Sequence, residues 1–180
     1  MPSVEAPGAA GATTEEALAF FDALRAVELD FMAGAWAGEG FPSGHPLDGV
    51  LEACHWHGKR FDSADEVHPL VFRGPGGTKI NVNPAWVGPG IPLAMRLPLL
   101  KARPVGRLVQ ALLPLLATRR SRARLRMTRH RGCLTATMVY DSVPILDVFR
   151  QIDRDTVLGL MDLKGMEQPF FFVLRRERPG

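Results

Sequence analysis

The order of the residues predicts a mainly β domain: an antiparallel barrel or strongly curved sheet, with an N-terminal helix and a Pro/Leu-rich helical insertion. Three observations carry this. Beyond Gly34 the chain falls into short segments at 49–62, 69–73, 78–83, 122–131, 133–141, 157–164 and 169–176, bounded by Gly, Pro, Asp or Asn. Residues 122–131 alternate, with Arg122, Arg124, Arg126, Thr128 and His130 on one face and Ala123, Leu125 and Met127 on the other. The 180 residues, 46% hydrophobic and 23% charged, suit one globular domain able to bury a core without disulfides.

Residues 1–13 are rich in Ala, Gly and Pro without periodicity and read as a disordered tail, leaving 14–178 as the domain. Thr13 or Thr14 caps a helix over about 14–29. Glu15 and Glu16 suit its first turn, and Leu18, Phe21, Leu24 and Val27 recur at helical spacing. The part 30–83 opens the β region. The segment 84–121 interrupts it, and its prolines exclude a long regular helix, although Val105–Leu113 can form a short one. Residues 122–176 carry the C-terminal strands, with a turn at His130-Arg131-Gly132-Cys133. Ile145–Ile152 reads as a second short helix, followed by a turn at Asp153-Arg154-Asp155. The last strand, Pro169–Leu174, is apolar on both faces, so the core must cover one side and a helix or a second chain the other.

Net charge is +3, but its layout is lopsided. Residues 67–140 hold 13 Lys and Arg and no Asp or Glu, while all 19 acidic residues lie outside. This basic stretch either pairs with acidic neighbours in the sheet or offers a surface to an anionic partner, such as a membrane. A nucleic acid fits poorly, because no aromatic residue lies between Val87 and Val139 to stack on a base. No apolar run approaches the ~20 residues that span a bilayer. No signal peptide is read at the start, and two cysteines are too few for a disulfide scaffold. A cytoplasmic location is the expectation.

Gly34-Ala35-Trp36-Ala37-Gly38-Glu39-Gly40 reads G-x-W-x-G-x-G. A Trp there can plug the closed end of a small barrel, and the glycines let backbones cross closely. With G-H-P-L-D-G at 44–49, W-H-G-K-R-F at 56–61 and V-H-P-L at 67–70, the chain resembles the bacterial GXWXG family. R-A-R-L-R-M at 122–127, A-T-M-V-Y-D-S-V-P-I at 136–145, D-V-F-R at 147–150, D-T-V-L-G-L-M-D-L-K-G at 155–165 and P-F-F-F-V-L-R-R at 169–176 resemble the uncharacterised domain that accompanies it. More distantly, the opening strand is similar to lipocalin-like and nitrobindin-like barrels. The resemblance implies a calycin-like fold in a cytoplasmic bacterial protein and brings no settled activity. Nitrobindin-like relatives imply haem, held by a His near the C-terminus, but no His follows His130 here.

Four groups of residues are candidates. His55 and His57, two apart on a predicted strand, could share a metal with Asp62 or be ordinary strand histidines; no metal site is expected. His45 and Asp48 either form a plain turn or move protons at a barrel mouth. On the strand 56–61, alternation sets Lys59 on the face of His57 and Trp56 with Arg60 on the other. An inward Lys59 or Arg60 implies an anionic ligand or a buried carboxylate. Tyr140, Asp141, Asp147, Asp162 and Lys164 gather late in the chain, and Asp162 with Lys164 suggests a buried ion pair or a site at its rim.

The leading functional expectation is a cytoplasmic carrier of a small hydrophobic, anionic ligand in a barrel pocket. Its walls would be Trp36, Trp56, Met138 and Phe172, and its polar selection His45, Lys59 or Arg60, Tyr140, Asp162 and Lys164. The alternatives are an acid/base enzyme on a small conjugated acid, working through Tyr140, Asp141, His45 or Asp162; a haem protein; and a homodimeric interaction protein joined through its apolar last strand. The segment 91–116, with Arg96, Lys101, Arg103 and Arg107, suits a lid or a membrane contact.

Overall fold

The computed structural model describes residues 11–90 and 103–178. Its order is α1 (Thr14–Ala23), β1 (Arg25–Ala26), β2 (Gly34–Gly40), α2 (Val50–Ala53), β3 (Trp56–Phe61), β4 (Val67–Arg73), β5 (Lys79–Asn81), α3 (Pro84–Val87), α4 (Arg103–Leu116), β6 (Ala123–His130), β7 (Cys133–Tyr140), β8 (Ile145–Asp153), β9 (Thr156–Leu163) and β10 (Phe170–Arg176). The strands form one antiparallel sheet ordered β1-β8-β7-β6-β4-β3-β2-β10-β9, with β5 beside β4. β9 also pairs with β8 from Ile145↔Leu163 to Asp153↔Thr156, so the sheet closes into a ring. The ring is not a regular barrel, because β4 meets β6 through the single pair Val67↔Ala123.

Thr13 caps α1 as predicted: its side chain accepts from the Glu16 amide, and Glu16 reaches back to the Thr13 amide. The helix ends at Ala23, not near residue 29, because the next residues join the sheet. Arg25 pairs with Gln151, and Val27 exchanges bonds with Thr135 and Ala136. The tail predicted at 1–13 lies largely outside the described residues, although Ala12 already bonds the Pro42 carbonyl.

Ile145–Asp153 is a nine-residue strand, not the short helix its spacing predicts. The segment 49–62 is a short helix followed by a strand, not a strand throughout. α4 runs past the predicted Val105–Leu113, through Pro114. Leu113 is buried and the Gln110 amide donates to the Cys54 carbonyl, so α4 rests on the loop before β3.

The ring has two apolar layers. Inside it Trp36, Trp56, Phe61, Leu125, Met138, Phe149, Phe172 and Leu174 share one core. Outside, Ala17, Phe20 and Phe21 of α1 lie on Val148, Leu158, Leu160, Phe171 and Val173. This answers the apolar last strand: Phe172 and Leu174 face inward, while Phe171 and Val173 face α1 within the same chain. Phe21 and Phe171 meet edge-on at 6.3 Å.

Among the described residues, four cations of the basic stretch, Lys79, Arg124, Arg126 and Arg131, pair with the acidic flanks. Arg124 holds Asp141, Arg126 holds Asp65 and Arg131 holds Asp22, at 2.7, 2.6 and 2.6 Å. All three are exposed contacts of modest energy that set sheet neighbours more than stability.

Candidate functional site

The site is built on a break in β3. Register shifts lie on both sides of Gly58, marking a bulge. Gly58 has φ 148°, and a Cβ there would lie 1.9 Å from the Trp36 carbonyl oxygen, so only glycine fits. The bulge resets alternation. Trp56 and Lys59, expected on opposite faces, both turn into the ring, with Lys59 Nζ 5.5 Å from the Trp56 ring. Arg60 turns outward, half-exposed, and pairs with Asp62 at 2.9 Å. It leaves the site.

Lys59 is only 3% exposed and its partner Asp147 only 1%. Nζ lies 2.7 Å from Asp147 Oδ2, and also donates to the Pro69 carbonyl at 3.1 Å and the Tyr140 hydroxyl at 3.3 Å. The Tyr140 hydroxyl donates to Asp147 Oδ2 at 3.2 Å. Three aromatic rings surround the ammonium: Phe172 at 4.9 Å, Trp56 at 5.5 Å and Tyr140 at 5.6 Å. The buried carboxylate that an inward lysine implies is therefore Asp147. It reaches the interior because β8 is a strand: Ile145, Asp147 and Phe149 alternate inward, and Asp147 sits opposite Met138 on β7.

Burial dominates the titration of the cluster. It pulls the Lys59 amine down and pushes the Asp147 carboxyl up, each opposed by the other's charge. Burial, with the neighbouring carboxylate, pushes the Tyr140 phenol well above its ordinary value. In the cluster and on the Trp56 indole beside it, Asp147 Oδ1 and Trp56 Nε1 are buried without a hydrogen bond to the described residues. One is an acceptor and the other a donor.

The remaining predicted residues scatter. Met138 and Phe172 are buried in the ring, and the Phe172 ring fills the space where Gly159 lacks a side chain. Trp36 is fully buried. Its Nε1 donates to the Met32 carbonyl at 2.8 Å, and the Arg176 guanidinium covers its ring at 4.3 Å. It plugs one end of the ring and has no free polar atom. His45 is structural: Nδ1 accepts the Leu47 amide at 3.0 Å, and Nε2 donates to the Gln168 carbonyl at 3.1 Å. Asp48 binds the amides of Ser43 and His45 through Oδ2, so the two side chains form a capped turn, not a proton relay. Asp162 continues the outer face of β9, beyond Leu158 and Leu160. Lys164 is exposed in the following turn, and these two form no ion pair among the described residues. Asp141 is bound to Arg124 outside the ring. Arg96 and Lys101, expected in a lid, lie outside the described residues.

His55 and His57 do not share a face. His55 sits in a turn at φ 58°, while His57 is buried between Arg73 and Glu177. Its Nδ1 accepts from Arg73, so Nε2 carries the proton donated to Glu177 at 2.9 Å. Burial lowers its pKa. Among the described residues no group of three His, Cys, Asp or Glu could hold a metal. Haem fits poorly too. His45 and His57 use both ring nitrogens, His55 is exposed, and His68 and His130 follow the outward sides of β4 and β6.

An open cleft of about 560 Å³ lies beside the Trp36 plug, between Ala33–Ala35, Lys79 and Arg176–Arg178. Its central charges satisfy one another, as Lys79 holds Glu177 at 2.7 Å. No described helix is long and apolar enough to cross a membrane.

The comparisons agree with this architecture. A GXWXG protein model matches residues 19–77, which include the Trp36 plug and the Gly58 bulge. A domain of unknown function (DUF4334) matches residues 121–176, which supply Tyr140, Asp147 and Phe172. The chain is similar to a crystal structure of a protein from Thermomonospora curvata, with 32% identity and a TM-score of 0.69. That match covers 93% of this chain and 90% of the other. No curated protein matches. The Lys59–Asp147–Tyr140 cluster thus joins the two matched segments across the ring, and the chain carries a GXWXG domain followed by a DUF4334 domain as its C-terminal part.

Proposed function

We propose that the ring is a cytoplasmic binding compartment for a small, largely apolar molecule with one polar end, seated against Lys59, Asp147 and Tyr140. The observation that carries this reading is the pair of unsatisfied buried atoms, Asp147 Oδ1 and Trp56 Nε1. Leaving such groups unpaired costs about 1–3 kcal/mol each, and a ligand that accepts one hydrogen bond and donates another removes that cost. Phe172, Met138 and Phe149 supply apolar wall, continued by the half-buried Leu70, Val143, Met161 and Leu163. Lys59 already has its counter-ion, so the cluster carries no net charge. The polar end is then uncharged, unlike the anionic end that a lone lysine would select. The free thiols Cys54 and Cys133 suit a reducing compartment. The Trp36 plug beneath Arg176 supports the calycin-like reading of the ring.

Native mass spectrometry of freshly purified protein, with an absorbance scan of the same sample, tests the reading. A bound small neutral mass, lost in a Trp56→Phe/Asp147→Asn variant that remains folded, is the expected result. A Soret band, or an apo spectrum with no binding by any of a panel of neutral amphiphiles, refutes it. An acid/base enzyme is the second reading. One observation favours it: Asp147, held protonatable by burial, touches the Tyr140 hydroxyl. Asp147 takes the place of Asp141 and Asp162, which lie outside the ring.

A further inference from the structure

We propose that Lys59 is a nucleophile, and that the ligand is an aldehyde or ketone that Lys59 binds covalently as a Schiff base with Asp147 as counter-ion. The inference rests on the reading of the ring as a binding compartment and names the chemical class it takes. Four features of the geometry lead to it.

First, a buried ion pair is poor structural material, since well-packed apolar residues often do as well. Lys59 and Asp147 are nearly inaccessible at 3% and 1%. Second, Asp147 Oδ2 lies 2.7 Å from Nζ, close enough to take a proton from the ammonium and leave a neutral amine. Burial pushes in that direction from both sides, lowering the amine and raising the carboxyl. Third, the Tyr140 hydroxyl stands 3.3 Å from Nζ and can donate to a carbonyl oxygen at the point of attack. Fourth, three aromatic faces lie around Nζ, and they stabilise an iminium as they do an ammonium.

The step balances without an oxidant or reductant. The neutral amine lone pair forms the C–N bond, and the carbonyl π electrons move to oxygen, which takes a proton from Tyr140 and is restored by the amine proton. The carbinolamine then loses its hydroxyl as water, with the proton held by Asp147. The products are an iminium beside an Asp147 carboxylate and one water, from one amine, one carboxylic acid and one carbonyl. Asp147 Oδ1, unpartnered before reaction, can accept a hydrogen bond from the released water.

The test uses the full chain with trans-cinnamaldehyde and cyanoborohydride, followed by intact mass and peptide mapping. Wild type carries its own control, because the sequence has three other lysines, Lys79, Lys101 and Lys164. At pH 7 each unit by which the amine pKa falls raises its neutral fraction about tenfold. The expected result is one cinnamyl group per chain, on Lys59, formed at least about tenfold faster than on exposed Lys79 or Lys164. Lys59→Arg abolishes that label, Tyr140→Phe slows it, and calorimetry of the wild-type chain with cinnamyl alcohol reads noncovalent binding. The alcohol cannot condense, so it separates the two readings. If it binds but the aldehyde labels only Lys79, Lys101 and Lys164, the covalent inference is overturned and the binding compartment stands. If neither compound binds, both are overturned.

Discussion

Replacing Lys59 by Met removes the cation and leaves its carboxylate inside the ring. The two charges are 2.7 Å apart. At an effective dielectric of about 20 their attraction is about 6 kcal/mol, and burying each ion costs several kcal/mol, so the intact pair is close to neutral for stability. The single variant loses the attraction and keeps the cost of the buried carboxylate, giving a net loss of about 3–5 kcal/mol. Asp147→Leu leaves the ammonium instead, and it also strands the Tyr140 hydroxyl, for about 1–3 kcal/mol more. The triple variant Lys59→Met/Asp147→Leu/Tyr140→Phe removes all three coupled polar side chains, leaving the Pro69 carbonyl without its donor, and returns to within about 2 kcal/mol of wild type. Urea unfolding followed by tryptophan fluorescence reads each value, with Trp36 and Trp56 buried as reporters. The gap between Lys59→Met and wild type also narrows on acidification. Without its cation Asp147 is raised further, the folded state then binds the extra proton, and stability returns as pH falls through that raised value. A Lys59→Met protein within about 1 kcal/mol of wild type at pH 7, with no pH dependence of the gap, refutes this reasoning.

Three other perturbations have defined outcomes. Gly58→Ala drives a methyl to 1.9 Å from the Trp36 carbonyl at φ 148°, so about 3 kcal/mol or more is lost and soluble expression falls sharply. A normal thermal midpoint in that variant would show that β3 tolerates a regular register. Thr13→Ala removes the cap of α1 and costs about 1 kcal/mol, measured by chemical denaturation, with the near-ultraviolet spectrum of the ring unchanged. Burial holds His57, His68 and His130 below the ordinary 6.5. Just under that pH the unfolded chain binds more protons than the folded one, so stability drops as pH falls from there. Asp22, held low by Arg131, and Glu177, held low by Lys79 and His57 against its burial, extend the loss into the carboxylate range. Asp147, raised by burial, opposes it. Thermal midpoints between about pH 7 and pH 5 read the sum, and a rise on acidification would mean that Asp147 outweighs the rest.

The fold was legible wherever strand faces differ in polarity. The 122–131 alternation became β6 with Ala123 and Leu125 inside and Arg124 and Arg126 outside. The apolar Pro169–Leu174 run demanded cover on both sides, and α1 supplies the outer one. β8 failed for a physical reason. Ile145, Val148, Phe149 and Ile152 are spaced like one face of a helix, because this strand is buried on both sides and carries Asp147 inside and Arg150 beneath α1. A polar residue on each buried face erases the period of two that marks a half-exposed strand.

That misreading also hid the centre of the site. Lys59 and Tyr140 were legible as an inward cation and a candidate proton donor, and the demand for a buried carboxylate was legible too. In the sequence Asp147 is one acid in a late cluster. In a helix it has no fixed relation to Lys59, whereas in a strand it stands opposite Met138 and must face the same interior. The second failure is Gly58. Strict alternation placed Trp56 and Lys59 on opposite faces, and the one-residue bulge brings them together while expelling Arg60. The two errors have a common origin: each falls where regular β structure yields to the polar cluster. A bulge that re-aims a lysine and a buried acid on an otherwise apolar strand both cost stability, and they meet within 2.7 Å. Independent packing accidents would not place both costs at one point in the ring, next to the unpartnered Asp147 Oδ1 and Trp56 Nε1. Their coincidence is the physical reason to look for chemistry at Lys59 and not in the cleft beside Trp36.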